Sequence, residues 1–377
     1  MCYNLNMGMF WEAVFVIKFI HTGDLHLGLQ FENVSFSKEI ANRRRIELWT
    51  TFERIVNKAI EDSVDFLFIA GDLFEEKYFT LGDIKRVKDI LERAKDVNII
   101  ISTGNHDTLN KNALYHMIEW PSNISIFDSN SLNKKTFEDK NLCIYGYSWD
   151  VAENNKNIFG DFKNLDRGKI NILLIHGDIL DKDSKYLPLD KKHIENMGFD
   201  YIALGHIHKP EIFSNKMAYC GSPEPLSFGE LGKHGIIQGK ISKESTEIEF
   251  IPFSQRNFLE KTIKIDENMS YNNIIDAIRG LDNRENFYRI ILDGVIDRDI
   301  NLDIGDLIRT VEDDFYYIEI IDNTIIDYDL DILESENIDN IIGLFISEMK
   351  NKNLEDEIIK DAMYIGLEVL MKGKFEL

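Results

Sequence analysis

The residues of this chain best suited to chemistry are aspartate, asparagine and histidine side chains that directly follow short apolar runs. They form five groups, in the order Asp24-x-His26, Gly71-Asp72, Gly104-Asn105-His106-Asp107, His176 and Gly205-His206-Ile207-His208. Carboxylate, amide and imidazole groups are the ligands of divalent transition metals such as manganese. No cysteine belongs to the set, which disfavours a structural zinc site. The set therefore predicts a metal centre.

Seven of these side chains are too many for one ion, so we expect them to serve two ions. The first ion is expected to take Asp24, His26 and His208. The second ion is expected to take Asn105, His176 and His206. Asp72 is expected to bridge both ions, because a carboxylate has two oxygens to share. Two ions ~3.5–4 Å apart clamp the oxygens of a phosphoryl group during in-line displacement, which predicts phosphoester chemistry.

His106 is left without a ligand role, and we predict that it is catalytic. It directly follows the predicted ligand Asn105, so it is well placed to protonate the leaving oxygen or to stabilise the charge that develops there. Asp107 is predicted to be its catalytic companion, as the residue that orients its ring. The remaining histidines are expected to be core or surface residues: His21, His116, His193 and His234.

An apolar run of strand character precedes each of the five groups. The runs are Val14 to Ile20, Asp65 to Ala70, Val97 to Ser102, Ile170 to Ile175 and Tyr201 to Leu204. Helical periodicity lies between the first runs, from Leu48 to Ala59 and over about Leu81 to Lys95. Strands that alternate with helices predict an α/β layered core. In such a core the carboxyl ends of the strands would bring the ligands into one crevice.

The sequence pattern divides the chain into four segments. Residues 1–15 show no periodicity and form an extension to which we assign no role, whereas residues 16–255 carry the metal motifs. Residues 256–330 predict a small α+β domain without histidine. Residues 331–377 predict helices with two apolar stripes, one through Phe345 and one through Ile358.

Composition and charge exclude several classes of protein. The chain has 377 residues, of which 44% are hydrophobic and 29% charged, as in an ordinary globular protein of two or three domains. The net charge of −23 gives no general sign of nucleic-acid binding, although a local groove can differ from the whole surface. The 3 cysteines are sparse and far apart, which indicates a reducing cytoplasm. The apolar stretch from Ala13 to Ile20 is interrupted by Lys18 and is too short to span a membrane.

From Ile17 to Phe253 the ordered set resembles the calcineurin-like metallophosphoesterase superfamily. Within it, the chain is similar to DNA repair exonucleases of the SbcD type. The segments that carry this resemblance are Asp24-Leu25-His26-Leu27-Gly28, Gly71-Asp72-Leu73-Phe74, and Tyr219-Cys220-Gly221-Ser222-Pro223-Glu224-Pro225 leading into Phe228-Gly229-Glu230. The last of them is more specific than the metal motifs.

The resemblance implies a layered metallophosphoesterase β-sandwich flanked by helices, with two manganese ions and activity on DNA ends and single-stranded DNA. It assigns the metal roles to the seven ligands named above and the catalytic role to His106. It also implies that residues 256–330 form a capping domain. The C-terminal helices would bind the coiled-coil base of an SMC-like ATPase of the SbcC type, and dimerisation of the chain is implied in the same way.

Three features leave alternatives open. Glu75 stands where some relatives carry a histidine, which puts in doubt a transition-state role for that position. The cluster Arg43-Arg44-Arg45 is either a solvated helix face or a contact with DNA phosphates. The apolar stripes of residues 331–377 either pack on their own domain or bind the partner.

Two rival functions remain beside the DNA phosphodiesterase. One is a metallophosphoesterase that hydrolyses a nucleotide or another small phosphodiester. The capping segment and the Gly221-Ser222-Pro223 stretch argue against it. The other rival is a metal-free scaffold that kept only the fold, against which the intact set of ligands argues.

Overall fold

The computed structural model describes residues 16–32, 36–160, 162, 164–281, 284–297, 300, 302–353 and 357–372. The predicted extension over residues 1–15 lies outside these residues. The chain forms two compact units, of which the first ends at Asn257 and the second begins at Phe258. The further boundary that we expect near residue 330 stays a prediction.

The described residues of the first unit form two six-stranded sheets. Its strands are β1 (Ile17–Thr22), β2 (Phe66–Ala70), β3 (Asn98–Ser102), β4 (Ile124–Ile126), β5 (Asn133–Phe137), β6 (Leu142–Tyr147), β7 (Ile170–His176), β8 (Tyr201–Gly205), β9 (Glu211–Ser214), β10 (Met217–Tyr219), β11 (Gly235–Ile241) and β12 (Thr246–Pro252). The order is β12-β11-β1-β2-β3-β4 in one sheet and β5-β6-β7-β8-β10-β9 in the other. The central strands are parallel in both sheets, from β1 to β4 and from β6 through β7 and β8 to β10.

The two sheets pack face to face, with helices on their outer faces. Buried residues of both sheets, such as Phe19, Phe68, Ile172 and Tyr201, form one apolar layer. Helices α1 (Lys38–Glu61) and α2 (Leu81–Leu91) cover the outer face of the first sheet, and α3 (Lys191–Met197) packs on the second. This arrangement confirms the predicted α/β layered sandwich flanked by helices.

The helices of this unit begin and end at residues suited to those positions. Ser37 caps α1 by accepting a hydrogen bond from the amide of Ile40, and Thr80 forms a capping box with Asp83 at the start of α2. Gly198 ends α3 in the left-handed conformation that glycine adopts easily. These caps fix where each helix leaves the sheet.

The second unit alternates strands and helices before it becomes helical. Its elements are β13 (Phe258–Ile265), α4 (Tyr271–Arg279), β14 (Phe287–Asp297), α5 (Ile304–Val311), β15 (Tyr317–Asp327), α6 (Leu330–Glu336), α7 (Ile341–Lys350) and α8 (Glu357–Lys372). The three strands are all parallel, so the predicted small α+β domain has crossover helices rather than hairpins. Tyr328, Leu333, Ile346, Met363 and Leu367 form a separate apolar core around α6 to α8. Across the described residues, no helix combines the length and apolar character that crossing a bilayer requires.

Candidate metal centre

The predicted ligands lie at one edge of the sandwich, because they follow the carboxyl ends of parallel strands. In the first sheet, Asp24 follows β1, Asp72 follows β2 and Asn105 follows β3. In the second sheet, His176 is the last residue of β7 and pairs in register with Gly205 of β8. Parallel strands end at the same edge, so all five groups of the sequence pattern converge there.

Glycine at two of the turns allows the strand ends to approach closely. A Cβ atom at Gly205 would overlap the carbonyl oxygen of Ala70, the last residue of β2 in the opposite sheet. A Cβ atom at Gly104 would overlap the Asp72 carboxylate. Both positions therefore require glycine for steric reasons, and at Gly205 the two sheets approach each other closely beside the predicted ligands.

Several ligand positions adopt backbone conformations that side chains other than glycine rarely occupy. The φ angles of Asp24, His26 and Asp72 are 49°, 47° and 49°, and that of His206 is 105°. Aspartate, asparagine and histidine are the residue types most often found in this region. The left-handed positions among the predicted ligands are therefore occupied by residue types that tolerate this conformation.

The ligands predicted for the first ion lie together. Asp24, His26 and His208 each place a ligand atom within 4.8 Å of the others. The Nε2 atoms of His26 and His208 are 3.0 Å apart. Each ring donates a hydrogen bond from Nδ1 to a carboxylate, His26 to Glu75 at 2.6 Å and His208 to Glu230 at 2.7 Å. When these rings are neutral, each Nε2 carries a lone pair, and the two lone pairs point toward each other. This arrangement fits a cation held between the two Nε2 atoms.

The ligands predicted for the second ion are partly gathered around His176. Its Nδ1 donates to the carbonyl oxygen of Ala70 at 2.9 Å, which leaves a lone pair on Nε2 of the neutral ring. That Nε2 lies 3.0 Å from Asn105 Oδ1 and 3.4 Å from Asp72 Oδ2. Three acceptors that face one another again fit a cation. Asp24 joins this cluster as well as the first, and Asp72 Oδ2 lies 3.8 Å from His26 Nε2, as a bridging position requires.

His206 takes a different position from the other predicted ligands. Its amide donates to both carboxylate oxygens of Asp24 at 3.1 Å. Its ring centroid lies 5.2 Å from that of His176 and 5.0 Å from that of Tyr186. Burial, reinforced by the charge of His176, lowers the pKa of His206 to about 4. The ring is thus kept neutral beside the second cluster, although it does not join the ligand groups found among the described residues.

The predicted catalytic residue His106 is held by Glu75. Its Nδ1 donates to Glu75 Oε2 at 2.9 Å, and its side chain is 43% exposed toward solvent. The hydrogen bond that His106 donates to Glu75 raises the pKa of His106 to about 9, against the opposing effect of burial. Burial also opposes ionisation of Glu75, but the hydrogen bonds from His106 and His26 hold its pKa to about 2. No pattern in the sequence indicated this contact.

Asp107 has a different environment from the one we expected. Its buried carboxylate accepts hydrogen bonds from the amides of Asp72, Leu73 and Gly104 at 3.1, 3.0 and 2.6 Å, and from the hydroxyl of Tyr115 at 2.7 Å. Burial and the nearby Asp72 charge raise its pKa to about 8. Asp107 therefore ties together the turns after β2 and β3, and Glu75 makes the hydrogen bond to His106 that we expected from Asp107.

The Gly-Ser-Pro segment lies directly behind His208. The amide of Ser222 donates to the carbonyl oxygen of His208 at 2.9 Å. The Ser222 hydroxyl donates to Glu230 Oε2 at 3.2 Å, while Oε1 of the same carboxylate accepts from the His208 ring. Burial acts to lower the pKa of His208, but the hydrogen bond from its ring to Glu230 and the nearby carboxylate charges raise it to about 9. The segment quoted for the family resemblance therefore supports a predicted ligand.

The basic cluster Arg43-Arg44-Arg45 is not one surface. Arg44 is fully buried and forms ion pairs with Glu47 at 2.5 Å and Glu224 at 3.3 Å. It also donates to the carbonyl oxygen of Pro225 at 2.7 Å. Neither of the two alternatives offered by the sequence applies to Arg44, since it is neither solvated nor accessible to DNA. Arg43 and Arg45 remain at the surface, where Arg43 pairs with Glu39.

The histidines expected outside the site lie in the core or at the surface. His21 is fully buried and shares a hydrogen bond with Tyr201 at 2.9 Å, and burial lowers its pKa to about 3. His234 is also buried and donates to the carbonyl oxygen of Ser222 at 2.9 Å. His116 and His193 are exposed.

Comparison with known proteins identifies the class to which this fold and site belong. The profile of the calcineurin-like phosphoesterase family matches residues 17–210, which is more than half of the chain. The chain therefore belongs to the calcineurin-like phosphoesterases, a family of metal-dependent phosphoester hydrolases.

Particular relatives are similar over parts of their length. An uncharacterized metallophosphoesterase of Bacillus subtilis, YhaO, is 30% identical over 244 residues, which cover 60% of this chain and 59% of that protein. The DNA double-strand break repair protein Mre11 of Methanopyrus kandleri is 26% identical, with 57% of this chain and 50% of that protein covered. Mre11 of Methanosarcina acetivorans is 28% identical, with 70% and 43% covered. The chain thus spans about two fifths to three fifths of these relatives.

Solved structures give weaker similarities. The protein TT1561 of Thermus thermophilus has a TM-score of 0.37 at 13% identity and covers 63% of this chain and 99% of its own. The purple acid phosphatase PPD1 from yellow lupin has a TM-score of 0.35 at 11% identity and covers 60% and 49%. These values are too low to support an argument, and the fold assignment depends on the sheets and the family match.

Proposed function

We propose that this chain is a DNA phosphodiesterase of the SbcD type, which uses two manganese ions and acts on DNA ends and single strands in double-strand-break repair. The observation that carries the chemistry is the convergence of lone-pair donors from both sheets, with the Nε2 atoms of His26 and His208 3.0 Å apart. The similarity to proteins named DNA double-strand break repair protein Mre11 supports DNA as the substrate.

The seven predicted ligands would hold the ions: Asp24, His26, Asp72, Asn105, His176, His206 and His208. When bound, the ions would polarise the phosphodiester and supply a nucleophile at neutral pH. His106 would hold a proton at Nε2 and give it to the leaving oxygen, because Glu75 occupies its Nδ1 and its ring opens to solvent. Asp107 would keep the turns after β2 and β3 in register around this ring.

The first test is cleavage of linear duplex and single-stranded DNA with Mn²⁺. We expect wild type to cut DNA, His106→Ala to lose activity but keep its metal, and Asp72→Ala to lose both. His116→Ala and Asp89→Ala are matched controls, because both residues are exposed and lie outside the site. Hydrolysis of bis-p-nitrophenyl phosphate or a cyclic nucleotide without cleavage of DNA would favour the small-substrate rival. A protein that binds no manganese would favour the metal-free scaffold.

We also propose that the C-terminal helices bind the coiled-coil base of an SMC-like ATPase of the SbcC type. Ile346 and Leu367 are buried in the core of α6 to α8, whereas Leu344 is 67% exposed and Ile358 is 79% exposed. These exposed side chains supply an apolar surface of the kind that a helical partner covers. Such a partner would also provide most of the DNA affinity, because a net charge of −23 does not favour contact with phosphates.

This partner can be tested by retention of the full chain on the immobilised coiled-coil base of such an ATPase. Leu344→Asp and Ile358→Asp are expected to abolish retention. Leu81→Asp is the control, because Leu81 is an exposed apolar residue of α2 in the first unit. Equal retention of all variants would show that the apolar stripes serve only their own domain. A DNA affinity that does not rise when the partner is added would contradict the proposed contribution of the partner to DNA binding.

The proposed compartment is the cytoplasm. Cys143 and Cys220 are buried free thiols, in keeping with a reducing environment. Dimerisation stays a prediction from the family resemblance.

A further inference from the structure

Glu75 contacts two imidazole rings for which we predict different functions. Its Oε1 accepts from Nδ1 of His26, a predicted metal ligand, at 2.6 Å. Its Oε2 accepts from Nδ1 of His106, the predicted proton donor, at 2.9 Å. The two rings lie edge to face, with centroids 4.9 Å apart and an interplanar angle of 80°. One carboxylate therefore joins a residue of the metal centre to the residue that would meet the substrate.

The backbone around Glu75 is attached to both turns that carry these rings. The amide of Glu75 donates to the carbonyl oxygen of Leu27, next to His26, at 3.0 Å. The amide of Glu76 donates to the carbonyl oxygen of His106 at 3.0 Å. Glu75 itself is only 8% exposed. The carboxylate is therefore held in place from both sides and cannot turn toward solvent without breaking these contacts.

We propose that Glu75 is a positioning residue that keeps a proton on Nδ1 of both rings and fixes their orientation at once. A carboxylate only accepts hydrogen bonds, so each Nδ1 must carry a proton. His26 then directs the lone pair of Nε2 toward Asp72 and His208, and His106 presents Nε2 to the crevice. This inference rests on the proposed phosphodiester chemistry for its catalytic consequence, but not for the hydrogen bonds themselves.

The chemistry of the side chain explains why a carboxylate suits this position. A neutral histidine has a single acceptor nitrogen and could hold only one of the two rings. A glutamine replaces one of the two carboxylate oxygens by an NH2 group, which donates, so the ring that faces that atom loses its acceptor. Only a carboxylate offers two acceptor oxygens to two donors. Glu75→Gln should therefore release one ring without a change in side-chain size.

The kinetic test compares two esters of thymidine 5′-monophosphate at saturating Mn²⁺, which compensates for weaker binding through His26. The p-nitrophenyl leaving group needs little protonation, whereas the phenyl leaving group needs more. We expect Glu75→Gln to lower kcat by about 10–100-fold for the phenyl ester and several-fold less for the p-nitrophenyl ester, with KM unchanged. Glu76→Gln is the control, because the Glu76 carboxylate contacts Thr108 and Asn110 instead of a histidine ring. An equal loss on both esters would overturn the positioning role.

A second measurement decides the proposal without any activity. The ¹⁵N spectrum of histidine-labelled, metal-free protein should show a proton on Nδ1 of both His26 and His106 in wild type. Glu75→Gln should shift the Nδ1 resonance of at least one of them, and Glu76→Gln should shift neither. An unchanged spectrum of Glu75→Gln would overturn the inference. If wild type hydrolysed neither ester, the proposed function would fail, while this spectrum would still decide the role of Glu75.

Discussion

Arg44→Met should destabilise the first unit rather than weaken DNA binding. The arginine is fully buried and faces two carboxylates, Glu224 and Glu47. Glu47 keeps its ion pair with Arg256 at 2.5 Å after the substitution. Glu224 keeps hydrogen bonds from the Thr51 hydroxyl at 2.6 Å and the Gln255 amide at 2.7 Å, but loses the Arg44 charge. The substitution therefore leaves one buried carboxylate without this countercharge.

The expected loss of stability follows from the single uncompensated carboxylate, Glu224. Removal of one partner of a buried ion pair costs about 3–5 kcal/mol, because the remaining charge is not compensated. Burial already raises the pKa of Glu224, so its carboxyl can take up a proton, which limits the cost. We therefore expect the free energy of unfolding to fall by about 3 kcal/mol. The double variant Arg44→Met/Glu224→Gln should recover part of this loss.

Urea unfolding followed by tryptophan fluorescence measures this quantity, because Trp49, Trp120 and Trp149 all lie in the first unit. Arg43→Met is the matched control on the same helix, since Arg43 is 53% exposed and its loss should cost less than about 1 kcal/mol. DNA affinity is measured in parallel on the folded variants. A loss of DNA affinity for Arg44→Met without a change in unfolding would refute the buried-pair reasoning and support contact with phosphates.

Three further predictions concern the site. In metal-free protein, the Glu75–His106 pair should stabilise the fold most between about pH 4.5 and 6.5. Because the pKa of His106 is raised, its contribution to stability is complete below pH 6.5 and is lost as the pH rises through about 9. Because the pKa of Glu75 is lowered, its contribution to stability is complete above pH 4.5 and is lost as the pH falls through about 2. Because the His106 side chain is 43% exposed, we expect a coupling energy of only about 1–2 kcal/mol in a Glu75→Gln/His106→Asn double-mutant cycle. A coupling energy that stays constant from pH 3 to 10 would contradict the expected pH dependence. Gly205→Ala should lower the melting temperature and prevent manganese binding, because its Cβ would overlap the Ala70 carbonyl oxygen, whereas Gly82→Ala in α2, whose Cβ would make only an ordinary contact with Thr80, should bind manganese normally. Chelation of metal should lower the melting temperature of wild type, and Mn²⁺ at 100 times its Kd should restore about 2.7 kcal/mol in wild type but little in Asp72→Ala.

The sequence predicted the strand-end groups well because that pattern is local. Each run of buried strand residues is followed at once by its polar turn, and the parallel order of the strands then brings the turns together. The layered α/β core follows from the same alternation of strands and helices, whereas the β-sandwich was implied by the family resemblance. The assignment of individual side chains to individual ions stays a prediction.

Contacts that depend on where a side chain points could not be predicted from the sequence in the same way. Asp107 is adjacent to His106, but its carboxylate turns toward the backbone amides of the β2 turn. Glu75 reaches His106 across 31 positions of the chain. The burial of Arg44 did have a signal, because it precedes Leu48 by one helical turn and so lies on the apolar face of α1.

The left-handed backbone at Asp24, His26, Asp72 and His206 has a consequence for evolution. Residues in this conformation cost roughly 1–2 kcal/mol each relative to ordinary backbone, and glycine would avoid most of that cost. The backbone conformation alone would therefore favour glycine at these positions. The joint presence of four larger side chains indicates that selection acts on what the crevice does, and a descendant that replaced them by glycine would exchange the strain for the loss of contacts such as the hydrogen bond from the His206 amide to Asp24.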